Sequence, residues 1–421
     1  MVNRFRARVT DFTRQRALTF SVVVVLILRG HKVSMQNALN KFFGAIGALF
    51  GVVTASAYSQ ARRKLKAEVF VHLNEVLWKD YYELYGADQE IELWHGHRLV
   101  GVDGSYLNVP DTAETRREFS VQTNQHPGGD QVQALASVMY DLRNDIGLSA
   151  AMGRKQAEKN FLFEQHLGVT QAGDVLVCDR NYADYSVMAK LGGHQRHFVI
   201  RFPSKSFTAV NQFWASPEQD QVVTLKVPSK AKAFVAKHHL PTTLQVRLVK
   251  VVLDTGEVEV LGTDLLEAQT YPAAELKQVY GWRWGSETYY DRIKNIFEVE
   301  RFSAPSVLAI QQDFYGVIFL ATLESILSKP AQAQLTAHSQ ERGCTNPPKV
   351  NRAVSYVAVV DHVVELLCDQ RVSPQETLAA LHHLFQTNPT RHREGRKFER
   401  NKHHSSARKL RFSKYVKRVL A

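Results

Sequence analysis

The stretch DVLVCDRNYADYSVMAKLGGHQRHFVIRFP, residues 174–203, decides the central part of the fold. Its apolar residues 175–178 predict a short buried strand, and the polar turn after them leads into a helical pattern. The helix is expected to end at Gly192 and Gly193, because glycine is favoured at helix C-termini. The run HFVIRFP, from His197, predicts the next strand. A strand, a helix and a strand in this order form a β-α-β unit, in which the two strands are parallel.

Strand patterns also surround this unit. The run HRLVGVDGSYLNVP, residues 97–110, alternates and ends at a proline. The run QVQALASVMYDLRNDIGLSAAM, residues 131–152, predicts a hairpin. Strand patterning returns at about 203–265, and a helix is expected at about 272–302. The predicted fold class is therefore α/β, with a mixed sheet that is covered by helices and interrupted by a small β-strand insertion before its last helix.

Length and composition exclude several classes of protein. With 421 residues, of which 44% are hydrophobic and 22% charged, the chain is expected to form two or three domains and not to be disordered. The apolar runs at 20–30 and 42–53 are too short to span a bilayer, so both predict buried helices. An odd number of widely spaced cysteines argues against a metal pair and against a disulfide framework. We therefore expect a cytoplasmic protein. The cysteines are Cys178, Cys344 and Cys368.

The net charge of +12 is concentrated at the two ends of the chain. Residues 1–66 carry twelve Lys and Arg against Asp11 alone, residues 391–421 carry twelve against two glutamates, and the middle is acidic. Two basic ends around an acidic centre indicate arms that hold a polyanion such as nucleic acid. Solvated terminal charge is the alternative interpretation of the same pattern.

The N-terminal segment, residues 1–95, has mostly helical patterns. Ser34 is the predicted N-cap of one helix, and Thr54 or Ser56 is the predicted N-cap of a long amphipathic helix. A short helix, a turn and a capped basic helix resemble a helix-turn-helix-like DNA-binding element, although basic amphipathic helices are common. The candidate DNA-binding residues on the first turns of the long helix are Arg62, Arg63 and Lys64.

Three regions follow from these patterns. We predict a helical DNA-binding domain at 1–95, a catalytic domain at 96–330 and a helical C-terminal region at 331–421. The tail from Arg391 has little apolar periodicity and is expected to stay flexible until it meets phosphate.

Two acidic residues follow predicted strands directly. Asp103 comes after LVGV, and Asp179 comes after VLVC. Open α/β sheets place their chemistry beside the carboxyl ends of the strands. Two carboxylates brought together there repel each other, and a divalent metal ion relieves the repulsion. The alternative is that each aspartate only caps the turn that follows its strand.

The predicted helix at about 272–302 carries a second set of polar residues. At about 100° per residue, Tyr280, Arg283, Glu287 and Lys294 fall within an arc of roughly 60°. A separate arc of about 100° is apolar, so this helix can pack through one face and present the four polar residues on the other. An ion-paired surface face is the alternative, because Arg283 and Glu287 are four residues apart. The apolar arc contains Val279, Trp282, Tyr289, Ile293, Ile296 and Phe297.

The order Tyr-x2-Arg-x3-Glu-x6-Lys resembles the signature of the insertion-sequence-four family of bacterial DDE transposases. Tyr280, Arg283, Glu287 and Lys294 match every position and spacing of that signature. VDGSYLNVPDT around Asp103 is similar to the first-aspartate motif of the family, and VLVCDRNYADYSVMAKL is similar to its second. The resemblance covers most of the chain, from about residue 11 to about residue 315.

This resemblance implies a fold, an activity and a set of site residues. The fold is an RNase H-like core with a β-strand insertion between the second aspartate and the glutamate. Asp103, Asp179 and Glu287 are implied to be the catalytic and metal-binding triad, holding two Mg²⁺ ions for which Mn²⁺ can substitute. Tyr280, Arg283 and Lys294 are implied to bind DNA, the arginine as a fork and the lysine as a point charge.

The implied partner is double-stranded DNA, both the terminal inverted repeats of the element and the target. The implied assembly is a homodimer on paired ends, away from any membrane. Some relatives hold a flipped base with a Trp in the insertion strand, whereas GEVEVLGTDLL has no aromatic residue and Trp214 lies far upstream, so the resemblance does not extend to a hairpin intermediate. Two other functions stay open: a catalytically silent DNA-binding repressor, and an RNase H-like nuclease without strand transfer.

Overall fold

The computed structural model describes most of the chain, and its residues form two compact units. The first, here called the helical unit, consists of the described residues of Met1–Leu73, Val109–Arg117 and Ile293–Ala421. The second, here called the sheet unit, is Asn74–Asn108 with Glu118–Arg292. The expected division into three regions stays a prediction. The described residues are 1–14, 16–30, 34–45, 53–86, 91–122, 130–155, 158–253, 256–344, 346–367 and 373–391.

The described residues of the sheet unit form nine strands, most of which follow the predicted apolar patterns. Residues buried on both faces, such as Val175 and Leu176, give the central strands their continuous apolar runs. The strands are β1 (Leu99–Asn108), β2 (Ser120–Gln122), β3 (Gln131–Asp141), β4 (Ile146–Gly153), β5 (Val175–Cys178), β6 (His197–Phe202), β7 (Asp220–Lys226), β8 (Thr243–Val252) and β9 (Val258–Thr263).

The order and direction of the core strands define the fold. β4, β3 and β1 pair antiparallel in this order, and β1, β5 and β6 then pair in parallel. The pair of β5 and β6 forms a β-α-β unit, whose helix is α8 (Tyr185–Gly193), whereas β3 and β4 lie between β1 and β5 in the chain. Three antiparallel strands followed by two parallel ones are the arrangement of an RNase H-like core. The predicted α/β fold class is confirmed.

The predicted insertion continues the same sheet. β9 pairs antiparallel with β6, β8 pairs with β9, and β7 forms the edge. The segment also contains two short helices, α9 (Thr208–Ala215) and α10 (Lys232–Lys237), which the strand patterning did not indicate. Each is only about two turns long, too short for a clear helical period.

One face of the sheet is covered by α11 (Ala273–Trp282). Leu276 and Val279 of this helix are fully buried against Val177 and Val199 of the sheet. Burying an aliphatic side chain of this size contributes about 1.5–3 kcal/mol, so this packing holds α11 firmly on the strands.

The predicted helix at 272–302 is not one continuous helix. α11 ends and α12 (Trp284–Asp291) begins at Arg283, and a π-helical turn covers Arg292–Ile296. Gly281 and Gly285 flank the break, and glycine has a low helix propensity. The single period of about 100° per residue therefore does not run from Tyr280 to Lys294. The described residues of this unit also form most of α5 (Glu68–Gly86), α7 (Glu158–Glu164) and 3₁₀ turns at His166–Val169, Arg180–Tyr182 and Ser229–Ala231, whereas α6 (Ala113–Glu118) belongs to the helical unit except for its last residue.

The helical unit is built around α13, a helix of 35 residues that spans Val307–Glu341. The predicted N-caps Ser34 and Thr54 are present, since their side-chain oxygens accept from the N–H groups of Asn37 and Ala57. The other elements of this unit are α1 (Val2–Phe5), α2 (Phe20–Arg29), α3 (Met35–Ala45), α4 (Ala55–Arg62), α14 (Arg352–Asp361), α15 (Val363–Leu367), α16 (Pro374–Thr387), β10 (Lys349–Val350) and β11 (Pro389–Thr390).

The apolar runs of the helical unit are mostly buried, as predicted. α2 buries Phe20 and the run 23–28, and Phe42 and Phe43 of α3 are buried too. The rest of the second run, residues 46–52, lies outside the described residues, as do Cys368 and the tail from 392. The long basic helix expected from Thr54 is instead split, since α4 ends at Arg62 and α5 begins at Glu68.

α13 alone among the described helices is long and apolar enough to cross a membrane by length and composition. In its most apolar window, 67% of the residues are buried inside the protein. Core helices of soluble proteins pass the same test, so this finding is weak support for a membrane span.

Candidate active site

The two strand-end aspartates lie beside each other. β1 and β5 are parallel neighbours, with Leu99 opposite Val175 and Gly101 opposite Val177. Two residues beyond this last pair stand Asp103 on β1 and Asp179 just past the end of β5. Neighbouring strands are about 4.8 Å apart, so the same register brings the two carboxylates to one edge of the sheet.

The environment of Asp103 concentrates negative charge. The pKa of its carboxyl is raised to about 6, first of all by burial and also by the nearby charges of Asp179 and Glu287. The Gly104 N–H, which donates to Asp103 Oδ1 over 2.9 Å, and the charge of Arg283 act in the opposite direction. Three carboxylates and one guanidinium therefore interact at this edge of the sheet.

Glu287 reaches this edge because α12 packs closely on β1. A Cβ atom on Gly101 would lie 2.4 Å from Ser286 Oγ, which shows how near the helix approaches the strand. Tyr290 Oη donates over 2.9 Å to the carbonyl of Asp103 and over 3.0 Å to that of Ala136. Ser286 and Tyr290 thus hold the helix on either side of Glu287.

The predicted polar face of the signature helix is largely covered. Tyr280 is 6% exposed and belongs to the apolar core with Leu276 and Val279, so the expectation of an open tyrosine face is wrong. Arg283 is 8% exposed and donates to Glu287 over 2.8 Å. Burial acts to lower the pKa of Arg283, but the bond to Glu287 and the nearby charges outweigh it, so the pKa is raised. Lys294 lies in the π-helical turn and belongs to the helical unit.

The donor chemistry of this edge fits a divalent metal ion. Carboxylate oxygens are the ligands that Mg²⁺ prefers. The pKa of Asp103 is raised first by burial and in smaller part by the charges of Asp179 and Glu287, and a bound cation would favour the ionised carboxylates. As they stand, the described His, Cys, Asp and Glu side chains form no group of three that could hold a metal ion. Glu287 is turned to Arg283, and its side chain is 39% exposed, so packing does not oppose its rotation. The three carboxylates fit a divalent ion if the Glu287 side chain rotates toward the aspartates and gives up part or all of its ion pair with Arg283.

The three basic residues near the N-terminus have different environments. Arg62 is 6% exposed, pairs with Asp313 over 2.6 Å and donates over 2.6 Å to Gln312. Its guanidinium is used inside the helical unit, which argues against the predicted DNA contact. Arg63 is exposed and Lys64 is half-buried, and both lie in the turn after α4. These two stay predicted DNA contacts.

Sequence reasoning missed the residues that position Glu287. Gly101 lies inside a strand, where a glycine often marks the close approach of another element, so that signal was present. Ser286 and Tyr290 carried no local signal, because their contacts are with β1 and β3, far away in sequence.

Comparison with known proteins gives the class to which this fold and site belong. Residues 94–323, more than half of the chain, match the family described as Transposase DDE domain. The chain belongs to this family of DDE transposases, which confirms the resemblance found in the sequence.

Individual proteins similar to the chain include one from a bacterial insertion sequence and one of known structure. It is 26% identical over 277 residues to "Transposase InsG for insertion sequence element IS4" of Escherichia coli (strain K12), a stretch that covers 64% of this chain and 60% of that relative. It is also similar to the piggyBac transposase in a cryo-EM synaptic complex with hairpin DNA, with 9% identity, coverage of 95% of this chain and 84% of that chain, and a TM-score of 0.42. A score this low does not establish a shared fold, so the fold assignment rests on the strand order.

Proposed function

We propose that this protein is a DDE transposase that binds the terminal inverted repeats of an insertion sequence and moves it by cut-and-paste. In this proposal it cleaves the DNA strand in a metal-dependent reaction and then joins the freed end to target DNA. The observation that carries the proposal is the register of β1 and β5, which sets Asp103 beside Asp179, together with the contact of α12 that brings Glu287 to the same edge.

Asp103, Asp179 and Glu287 would hold the metal. When bound, Mg²⁺ supplies Lewis-acid stabilisation of the phosphate and activation of a water. In cleavage, the water oxygen bonds to phosphorus, the bond from phosphorus to the 3′ oxygen breaks, and the 3′ oxygen takes up a proton. In transfer, that 3′-hydroxyl attacks a phosphodiester of the target, so one such bond forms as another breaks and no covalent protein–DNA species is needed.

Arg283 would hold the phosphate beside the cut. Its guanidinium already lies at the carboxylates, and a fork of N–H donors matches two phosphate oxygens. In this proposal, turning Glu287 away releases N–H groups of Arg283 toward the DNA. Lys294 is proposed as a second phosphate contact, and Tyr280, which is buried, is proposed to support Arg283, whose guanidinium carbon lies 5.6 Å from its ring centroid.

The ends of the chain are proposed to divide the binding of DNA. Residues 1–95, with Arg63 and Lys64, would recognise the terminal repeat, and the tail from Arg391 would add affinity without sequence preference. Two copies would assemble on paired ends, and the protein would act on the bacterial nucleoid in the cytoplasm.

The test uses the purified chain, Mg²⁺ or Mn²⁺, and DNA that carries the element's own ends. We expect nicking at the element end and, with target DNA present, joined products. Asp179→Ala should abolish both while leaving end binding intact. Cleavage without joining would favour the nuclease, end binding without cleavage would favour the repressor, and undiminished cleavage by Asp179→Ala would refute the triad.

A further inference from the structure

Outside the candidate active site, the sheet unit carries a cluster of cations and aromatic rings. We call it the lysine surface and define it as Lys159, Lys190, Lys230 and Lys237 with Phe163 and Phe234. Lys159 and Phe163 come from α7, Lys190 from α8, Lys230 from the turn Ser229–Ala231, and Phe234 with Lys237 from α10. Two of these elements, the turn Ser229–Ala231 and α10, belong to the insertion. The proposed reaction assigns the insertion no role.

The rings of the lysine surface hold one of its cations in place. Phe163 and Phe234 stack, with ring centroids 5.5 Å apart and 27° between the planes. The ammonium of Lys190 lies 4.6 Å from the centroid of Phe163 and 5.9 Å from that of Phe234. Cation–π attraction to both rings restricts a side chain that is otherwise flexible. The charge of Lys190 is therefore fixed in position at the surface.

The lysine surface has more ammonium groups than carboxylates that pair with them. Asp184 is shared by Lys159, at 3.2 Å, and Lys230, at 3.8 Å. Among the described residues, neither Lys190 nor Lys237 has a carboxylate within ion-pair distance. Partial desolvation, followed by the charges of Lys190 and Lys237, lowers the pKa of the neighbouring His238, as expected in a positive field. Of the four ammonium groups, two thus share one carboxylate and two have none.

The lysine surface begins at the edge of the sheet where Asp179 lies. Asp184 is the N-cap of α8, accepts from the N–H of Ser186, and follows Asp179 after the tight turn Arg180–Tyr182. From Asp184 to Lys190 the helix rises about 9 Å, at about 1.5 Å per residue. The helix thus extends the lysine surface away from the candidate active site, along a path that DNA entering that site could follow.

We propose that the lysine surface binds the phosphate backbone of the DNA duplex that enters the candidate active site. This inference rests on the proposed function and names a binding role for the insertion. Lysine ammonium groups are point charges that contact phosphates without reading base edges, so the surface holds any sequence equally. Its function is to position DNA next to Asp179, and its signature is a dependence of affinity on salt.

The test compares two double variants of the full chain with the same change in net charge. Lys190→Gln with Lys237→Gln removes the two cations that lack an acidic partner. Lys79→Gln with Lys277→Gln removes two exposed lysines of the same unit, on α5 and α11, outside the surface. Binding of a fluorescent duplex of random sequence is measured between about 50 and 200 mM NaCl. The pH is mildly alkaline, so that histidines are neutral.

We expect the slope of log affinity against log salt to fall by about 1.8 in the surface variant, at about 0.9 per phosphate contact, and to stay near the wild-type value in the control. Thermal unfolding verifies that both variants are folded. Wild-type binding with the same slope in both variants would overturn this inference alone. A wild-type chain that binds no DNA would overturn the proposed function and this inference with it. Loss of slope for element ends but not for random duplex would also contradict it, since the surface would then read sequence.

Discussion

Ser286 occupies the place that a side chain on Gly101 would need. A Cβ at Gly101 would lie 2.4 Å from Ser286 Oγ and 2.8 Å from a methyl carbon of Leu142. Real Cβ contacts are essentially never shorter than 3.0 Å, so an added methyl must displace the Ser286 hydroxyl and the Leu142 methyl group, or the backbone that carries them. A glycine two residues before Asp103 thus permits the close approach of the helix that carries Glu287.

Gly101→Ala is therefore expected to destabilise the protein by about 1–3 kcal/mol, as overpacking does, and to lower cleavage more than DNA binding. Urea unfolding and the cleavage assay measure the two effects. Gly285→Ala is the matched control on α12, since its Cβ would meet nothing closer than 3.6 Å. That substitution should stabilise the helix by about 0.5–1 kcal/mol. Equal stability of the two variants would show that α12 does not press on β1.

The second prediction concerns Arg283. Arg283→Ala removes a charged phosphate contact while keeping the three carboxylates, so it should weaken end binding by about 1.5–3 kcal/mol. Lys294→Ala, the variant of the other proposed phosphate contact, should act in the same direction. Electrophoretic mobility shifts on element ends measure the loss. Wild-type binding and cleavage in both variants would return these residues to an ion-paired surface role.

The third prediction separates two neighbouring arginines. Arg62→Ala leaves Asp313 without its buried partner, so we expect a destabilisation of about 3–5 kcal/mol. Arg63→Ala, one residue further on and exposed, should change stability by no more than about 0.5 kcal/mol and should weaken DNA binding instead. Chemical unfolding measures the stability of the two variants, and mobility shifts measure their DNA binding. A stable Arg62→Ala protein with impaired DNA binding would restore Arg62 as a DNA contact.

The fourth prediction concerns the pH dependence of stability. His166 is fully buried between Ser137 and Ser149, with ring nitrogens 2.9 and 3.0 Å from their hydroxyls, and burial lowers its pKa to about 3. The unfolded histidine has a pKa of about 6.5, so below that pH the unfolded state binds a proton while His166 in the folded state stays neutral. Its contribution to stability is complete above about pH 6.5 and is lost toward pH 3, by up to about 1.4 kcal/mol per pH unit.

His166→Gln should remove the contribution of His166 to the pH dependence of the unfolding free energy. The free energy of unfolding, measured in urea at several pH values between about 5 and 7, should then fall less steeply with acid than in the wild type. Parallel curves for the two proteins would mean that His166 is not held neutral.

The fifth prediction concerns the basic tail. Ending the chain after Thr390 removes residues 391–421 and with them twelve Lys and Arg. Affinity for cognate and random DNA should fall about equally, and the salt dependence should flatten, because counterion release is lost. If the truncation erased sequence preference while nonspecific binding stayed intact, the tail would be the element that recognises sequence.

The sequence by itself determined the features that depend on local pattern. The apolar runs before Asp103 and Asp179 specify two buried strands, and the β-α-β order at residues 174–203 specifies that β5 and β6 are parallel. The parallel pairing of β1 with β5, which brings the two aspartates to one edge, came from the tertiary structure. The N-caps at Ser34 and Thr54 and the burial of α2 follow in the same way from short-range hydrogen bonds and apolar periodicity. The spacing from Tyr280 to Lys294 identified the family.

Only the tertiary structure decided which polar residues are used inside the protein. Arg62 and Asp313 are 251 residues apart in sequence, so no local pattern shows that they pair. Tyr280 is buried because α11 packs on the strands at that point. The helix breaks at Arg283, so Tyr280 and Glu287 do not share one continuous helical face. The contact of Ser286 with Gly101 likewise joins elements that are remote in the chain. Burial and pairing depend on which surfaces meet when the chain is compact, and local propensity does not contain that information.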